Sequence, residues 1–359
     1  MKSKLLLRLL LFASALVAVQ ACENDPSRVV PVGAAGYFVV NEGGFGNNNT
    51  SISFFDRSTG KMTNNVFADK NGRALGDQAQ SITVFDGKAY VVVQHSAKIE
   101  VIDADDYSSI KTISDGIESP RYLLPVSPTK AYISDWGADG VTGSVKVLDL
   151  TSMSITKSIS TGKGPNELIL REDKVYVANS GGYDTDNTVD IIDISTDAVT
   201  SHITVGDNPN SLRFDKDGNL WVISTGQFAY NEDYSIDVAH STKSTLSKVV
   251  NGTEAARLSI DDIEYPGAAH LNINKAGDNL YYIFNGAVYS VSTSASTLPA
   301  NALIGDKYFY GLAIDPITDE IIGCEAPDFS SPGAIYIYNN TTLSKTFTVG
   351  IAPNGVGFK

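Results

Sequence analysis

The segment that decides the fold reads Lys174-Val175-Tyr176-Val177-Ala178-Asn179, a Gly/Asp loop, Thr188-Val189-Asp190-Ile191-Ile192-Asp193, a run from Ala198 to Val205, and then Gly206-Asp207-Asn208-Pro209-Asn210. Its first three pieces are short, rich in β-branched and aromatic residues, and bounded by Gly, Asp and Asn, the composition of strands joined by tight turns. A fourth strand follows at Ser211 to Asp215, so the unit reads as a four-stranded antiparallel sheet with polar turns such as Asp86-Gly87 and Asp217-Gly218. Working outward, the aromatic strand core recurs at Tyr90, Tyr132, Tyr176 and Trp221, spaced 42, 44 and 45 residues. Periods of this size belong to propeller blades.

Two independent anchors set the blade count. The third strand recurs at Ser51 to Asp56, Lys98 to Asp103, Ser144 to Asp149, Thr188 to Asp193, Thr245 to Val250, Ala287 to Ser292 and Ala334 to Asn339. The loop into the innermost strand recurs at Ala79-Gln80, Pro120-Arg121, Pro165-Asn166, Pro209-Asn210, Pro266-Gly267, Phe309-Tyr310 and Pro353-Asn354. Each gives seven, although the fifth unit is stretched to 60 residues between Trp221 and Tyr281. Regular structure begins at a second-type strand, Gly36 to Asn41, and ends at an innermost one, Asn354 to Phe358. The expected fold is therefore all-β: a seven-bladed β-propeller over residues 36–359, closed by pairing N- and C-terminal strands in one blade with no open edge at the seam.

Composition bounds the partners. Of 359 residues 41 are acidic and 27 basic, a net charge of −14, which disfavours nucleic acid and anionic lipid headgroups because both require Lys/Arg surfaces. Neutral or cationic ligands fit better. At the N-terminus, Lys2, Lys4 and Arg8 accompany an apolar run from Leu5 to Val19, too short to span a bilayer and typical of a secretory signal. The segment Val19-Gln20-Ala21-Cys22 resembles a bacterial lipobox, which implies a signal peptide over 1–21, lipidation of Cys22, and a tether over 22–35. The alternative is a secreted protein with a disulfide between Cys22 and Cys324, the only other cysteine; with Cys22 lipidated, Cys324 becomes a core thiol. Glu23 and Asp25 resemble the surface-export tag of Bacteroidota lipoproteins.

Strand alternation assigns the loops to faces. The loops after the second strands and those entering the innermost strands share one face, whereas the opposite face carries plain connectors such as Pro128-Thr129 and Glu172-Asp173. The rich face holds the candidate ligand residues Phe45, Arg121, Trp136, Asn166, Tyr183, Asn210, Phe228, Tyr230, His270, Tyr310 and Phe329. Aromatic surfaces interleaved with amides suit a large, flat ligand bearing amides or hydroxyls. The loop from Thr225 to Thr242 is the longest insertion there, and insertions of that length are rarely neutral. Tyr122 and Tyr308 are expected to pack over blade ends, and Asn166, Asn210 and Asn354, each following Pro in a repeated turn, have capping of their own backbone as a competing role.

Signatures of catalysis are sparse. The four histidines, His95, His202, His240 and His270, show no metal-ligand spacing, and no G-x-S-x-G elbow occurs. Asp184 to Asp190 lacks the glycine and terminal glutamate of a calcium loop. No catalytic residue and no resident metal or cofactor is expected. The enzymatic alternative is a lactonase-like hydrolase holding one divalent ion through Glu42, Asn166 and Asn210, although such propellers normally have six blades.

Tyr176-Val177-Ala178-Asn179 through Pro209-Asn210 resembles the YVTN repeat of YncE-like and surface-layer-like seven-bladed propellers, and the pattern covers nearly all of residues 36–359. Together with the lipobox and acidic tag, the chain is similar to Bacteroidota surface lipoproteins that accompany TonB-dependent outer-membrane transporters, and among them to BtuG-like cobalamin binders. The resemblance implies a lipid-anchored, surface-exposed outer-membrane protein that captures a corrinoid on one propeller face and passes it to its transporter, with cobalamin as cargo. A glycan-binding or adhesin propeller would use the same aromatic face.

Overall fold

The computed structural model of the protein describes residues 33–260 and 267–359; the signal segment, Cys22, the tether up to residue 32 and the turn residue Pro266 lie outside them. Seven antiparallel sheets follow one another around a ring. The innermost strands, in blade order, are Pro353–Phe358, Ala79–Phe85, Pro120–Ser127, Pro165–Arg171, Pro209–Phe214, Ala269–Ile273 and Gly311–Ile314. The third strands begin and end where the repeat places them, except that the seventh starts earlier, at Pro332.

Neighbouring blades share one hydrophobic core per junction. The second strand of the second blade shows why the sequence reads as it does: Ala89, Val91 and Val93 enter the core shared with the first blade, while Tyr90 and Val92 enter the one shared with the third. Because both faces of the blade are buried, this second strand is a continuous apolar run and does not alternate with polar residues. The recurring Asp at the end of the third strand has a local task. Asp56, Asp103, Asp149 and Asp193 each accept hydrogen bonds from backbone N–H groups two and three residues on, fixing the hairpin to the outer strand. A carboxylate is also buried inside the second blade, where fully inaccessible Glu100 accepts from Arg73 (2.6 Å), Lys98 (3.2 Å), Ser109 and Thr112.

The ring closes as expected. Pro353–Phe358 pairs antiparallel with Gly36–Asn41 to complete the first blade, and Phe358 lies edge-on to Tyr37 at 5.8 Å. Innermost strands of adjacent blades do not form a ladder with one another, so side chains bridge their edges. Asn166 Nδ2 donates to the Asn210 carbonyl (2.9 Å), Asn210 Nδ2 to the Ala268 carbonyl (2.9 Å), and Asn354 Nδ2 to the carbonyls of Ala79 and Gln80 (3.3 and 3.2 Å). The Pro-Asn turns thus cap the next blade's backbone and not their own.

Three features depart from the simple repeat. The sixth blade has three ladder strands, with an isolated Val288–Ile304 bridge standing where an outer strand would run; Ser- and Pro-containing sequence from Thr293 to Pro299 lacks strand patterning. A six-residue helix, Val66–Asn71, sits between the first and second blades and buries Val66 and Phe67. The extra length of the fifth blade contains a small excursion joined by a Tyr230–Ile236 bridge, followed by a short 3-10 turn, Val238–His240. Cys324 is a fully buried free thiol in the core between the seventh and first blades, and burial pushes its pKa up to about 12.

Candidate functional site

A cavity of about 800 Å³ opens at the centre of the loop-rich face, built from loops after second strands and from the first residues of innermost strands. Of the residues expected at a ligand site, Phe45, Arg121, Asn166, Asn210, His270, Tyr310 and Phe329 line it. Trp136, Tyr183, Phe228 and Tyr230 are not part of the lining. Trp136 lies behind the cavity wall, stacked on the Arg121 guanidinium at 4.1 Å, and Tyr183 meets Trp136 edge-on at 5.8 Å. Tyr183 covers Gly140, where a Cβ would come within 2.3 Å of the ring; only glycine allows that approach. Phe228 is half-buried and Tyr230 is 59% exposed on the long loop. Tyr122, expected over a blade end, instead lines the cavity, while Tyr308 covers Gly286 yet remains 65% exposed.

The wall combines two opposite charges with neutral partners. Arg121 donates through Nε to Asn166 Oδ1 at 3.3 Å and through Nη1 to Gln94 Oε1. Glu42 accepts from Asn354 Nδ2 (2.6 Å) and from the Tyr310 hydroxyl (2.9 Å). Burial raises the pKa of Glu42 against the opposing pull of those two hydrogen bonds and of Arg121, and burial lowers that of Arg121. Burial likewise raises the Tyr310 phenol, which keeps its proton and remains a donor. Deeper in the channel Arg213 and Glu167 form a 2.7 Å ion pair. At the rim, Phe45 is 70% exposed and lies 4.6 Å from the His95 ring, and Phe329 is 49% exposed and edge-on to Tyr310 at 5.0 Å.

Sequence reading did not select Gln78, Gln80, Gln94, Glu167 or Arg213 as site residues, and it considered Asn354 and Glu42 only for capping or for a metal. Asn354 carried a usable signal, since it occupies the same Pro-Asn position as Asn166 and Asn210. The oxygens a lactonase-like centre would use are each already engaged: Asn166 Oδ1 accepts from Arg121 Nε, Asn210 Oδ1 from the Ser211 hydroxyl, and Glu42 from Asn354 and Tyr310. Among the described residues, no group of three His, Cys, Asp or Glu side chains is placed to hold a metal ion. The carboxylates of the Asp184 to Asp190 stretch are engaged separately, Asp184 by Lys163 and Asp190 by the backbone of Gly162.

His270 enters the cavity wall from a left-handed backbone position (φ 57°), and burial together with the positive charge of Arg213 lowers its pKa to about 4. An unfolded histidine titrates near 6.5, so between about 6.5 and 4 the unfolded chain binds the extra proton and stability falls as pH falls. The melting temperature of wild type relative to His270→Gln is therefore expected to drop between pH 7 and pH 4. An identical difference at the two pH values would contradict a histidine buried in its neutral form.

Comparisons with known proteins place the fold. A 6-phosphogluconolactonase candidate from Bacteroides fragilis is similar in structure (TM-score 0.64, 13% identity, 91% of this chain and 98% of that one). So is a quinonprotein alcohol dehydrogenase-like protein from Bacteroides thetaiotaomicron (TM-score 0.62, 16% identity, 91% and 79%). Hydrazine synthase of Kuenenia stuttgartiensis also aligns (TM-score 0.61, 18% identity, 81% and 90%). At such identities the likeness concerns the propeller scaffold and carries no activity across. No curated protein matches in sequence. Residues 35–349 match the family described as a domain of unknown function, DUF5074, and the chain belongs to that family.

Proposed function

We propose that this protein captures a corrinoid, cobalamin or a close relative, in the central cavity of its loop-rich face and passes it on without chemical change. In this reading Cys22 carries a lipid that anchors the protein at the outer-membrane surface beside a TonB-dependent transporter. The observation that carries the reading is the cavity itself: an amide-rich wall that carries Arg121 and Glu42, under the exposed aromatic rim of Phe45 and Phe329. A corrinoid is broad, amide-rimmed and close to neutral, so it needs stacking surface and directional hydrogen bonds more than net charge. The amide bridges between blades hold the wall in place before binding, which limits the ordering cost. A surface anchor would add a high local concentration at the transporter.

Isothermal titration of the purified full chain with cyanocobalamin is expected to give saturable binding without turnover. The double variant Phe45→Ala/Phe329→Ala is expected to weaken it by more than about 1 kcal/mol while leaving the melting temperature within a few degrees. Heatless mixing at tens of micromolar protein overturns the proposal. Binding to a polysaccharide instead would identify an adhesin, and metal-dependent lactone turnover a hydrolase.

A further inference from the structure

Glu42 and Arg121 line one cavity and feel each other's field, yet they do not pair. They stand on the first and third blades with Gln80 of the second also in the lining, and their charged atoms are farther apart than the 4.0 Å of an ion pair. Arg121 uses Nε and one Nη1 hydrogen on Asn166 and Gln94; its Nη2 group has no acceptor among the described residues. Trp136 stacked at 4.1 Å holds the plane of the guanidinium. Each Glu42 oxygen accepts one hydrogen bond, from Asn354 or Tyr310, whereas an ionised carboxylate has about four acceptor sites. The cavity wall thus offers unused donors and unused acceptors from two different blades, with the two charges cancelling overall.

We infer that Arg121 and Glu42 form a subsite for a primary carboxamide, whose carbonyl oxygen accepts from Arg121 Nη2 and whose NH₂ donates to Glu42. The inference rests on the capture reading above and deepens it by naming the ligand group that is recognised. A carboxylate would satisfy Arg121 but oppose Glu42, and an ammonium would do the reverse. A carboxamide presents one acceptor and one donor a bond apart from a shared carbon and brings no charge that must be stripped of water. The subsite would sit under the aromatic rim, so that a peripheral amide enters the cavity while the body of the ligand rests on Phe45 and Phe329.

Two probes test this on the full chain. Crystals soaked in acetamide are expected to show it between Arg121 and Glu42, with acetate and methylammonium absent from that position, and Arg121→Met is expected to abolish the acetamide. In titrations, cyanocobalamin monocarboxylic acids, each with one amide hydrolysed, are expected to include one regioisomer that binds at least about tenfold more weakly than the parent. Glu42→Gln is expected to restore that isomer to within about threefold. Wild type that binds cyanocobalamin, makes no distinction among the isomers and leaves acetamide unbound overturns the subsite and leaves capture intact. Seated acetamide without cyanocobalamin binding overturns corrinoid capture and leaves the subsite intact, and absence of both signals overturns both. Acetamide retained equally by wild type, Arg121→Met and Glu42→Gln would mean binding at crystal concentration only, which also overturns the subsite.

Discussion

A chain lacking residues 353–359 is expected to lose its cooperative thermal transition. The deletion removes the innermost strand of the first blade and with it the ladder to Gly36–Asn41. Val356 and Phe358 leave the core shared by the seventh and first blades, uncovering Tyr37 and Val39. The Asn354 amide no longer reaches the second blade, and Lys359 Nζ no longer reaches the Ala104 carbonyl or Asp105 (2.6 Å each). Each large apolar side chain exposed costs about 1.5–3 kcal/mol. Several together match the roughly 5–15 kcal/mol by which a whole domain is stable. Circular dichroism melting of the truncated chain checks this, and an unchanged midpoint would mean that the seam is held by something other than this strand.

The second large effect concerns Glu100. Its burial alone would raise its pKa, but hydrogen bonds from Arg73 and Ser109 and the charge of Lys98 outweigh that and hold the carboxyl below its usual value. Arg73→Met/Lys98→Met leaves a buried carboxylate with no cation and only the hydroxyls of Ser109 and Thr112 as donors, and is expected to destabilise the protein by about 3–5 kcal/mol. Adding Glu100→Leu should recover most of the loss, because an apolar replacement removes the stranded charge along with its partners. Because the folded pKa is depressed, the contribution of the cluster is full above about pH 4.5 and is lost as pH falls through the folded value. Urea denaturation at pH 7 compares the variants. Equal stabilities of the double and triple variants would show that Glu100 does not need its cations.

The blade plan was legible because it rests on periodic demands that every unit repeats. The apolar run from Ala89 to Val93 records two buried faces, and Asp56, Asp103, Asp149 and Asp193 record the same hairpin geometry. The short helix over Val66–Asn71 and the missing outer strand of the sixth blade were not legible, since each occurs once and no second copy marks it. The face of the site was readable from strand direction, which fixes where a loop emerges. Which way a side chain turns is set by neighbours distant in sequence. Trp136 turns to the Arg121 guanidinium and so stands behind the wall, and Tyr183 settles on Gly140. Glu42 lies 312 residues from Asn354, so their hydrogen bond follows from ring closure and from no local pattern.

That separation also sets an order of events in synthesis. The first blade is the earliest to leave the ribosome, yet its innermost strand is made about 312 residues later. At roughly 5–20 residues per second, the strand Gly36–Asn41 waits on the order of 15–60 s for its partner. Throughout that time the all-apolar surface around Tyr37, Phe38, Val39 and Val40 has an unpaired edge, the kind of feature that invites wrong pairing. Closure of the ring therefore waits on the arrival of one strand.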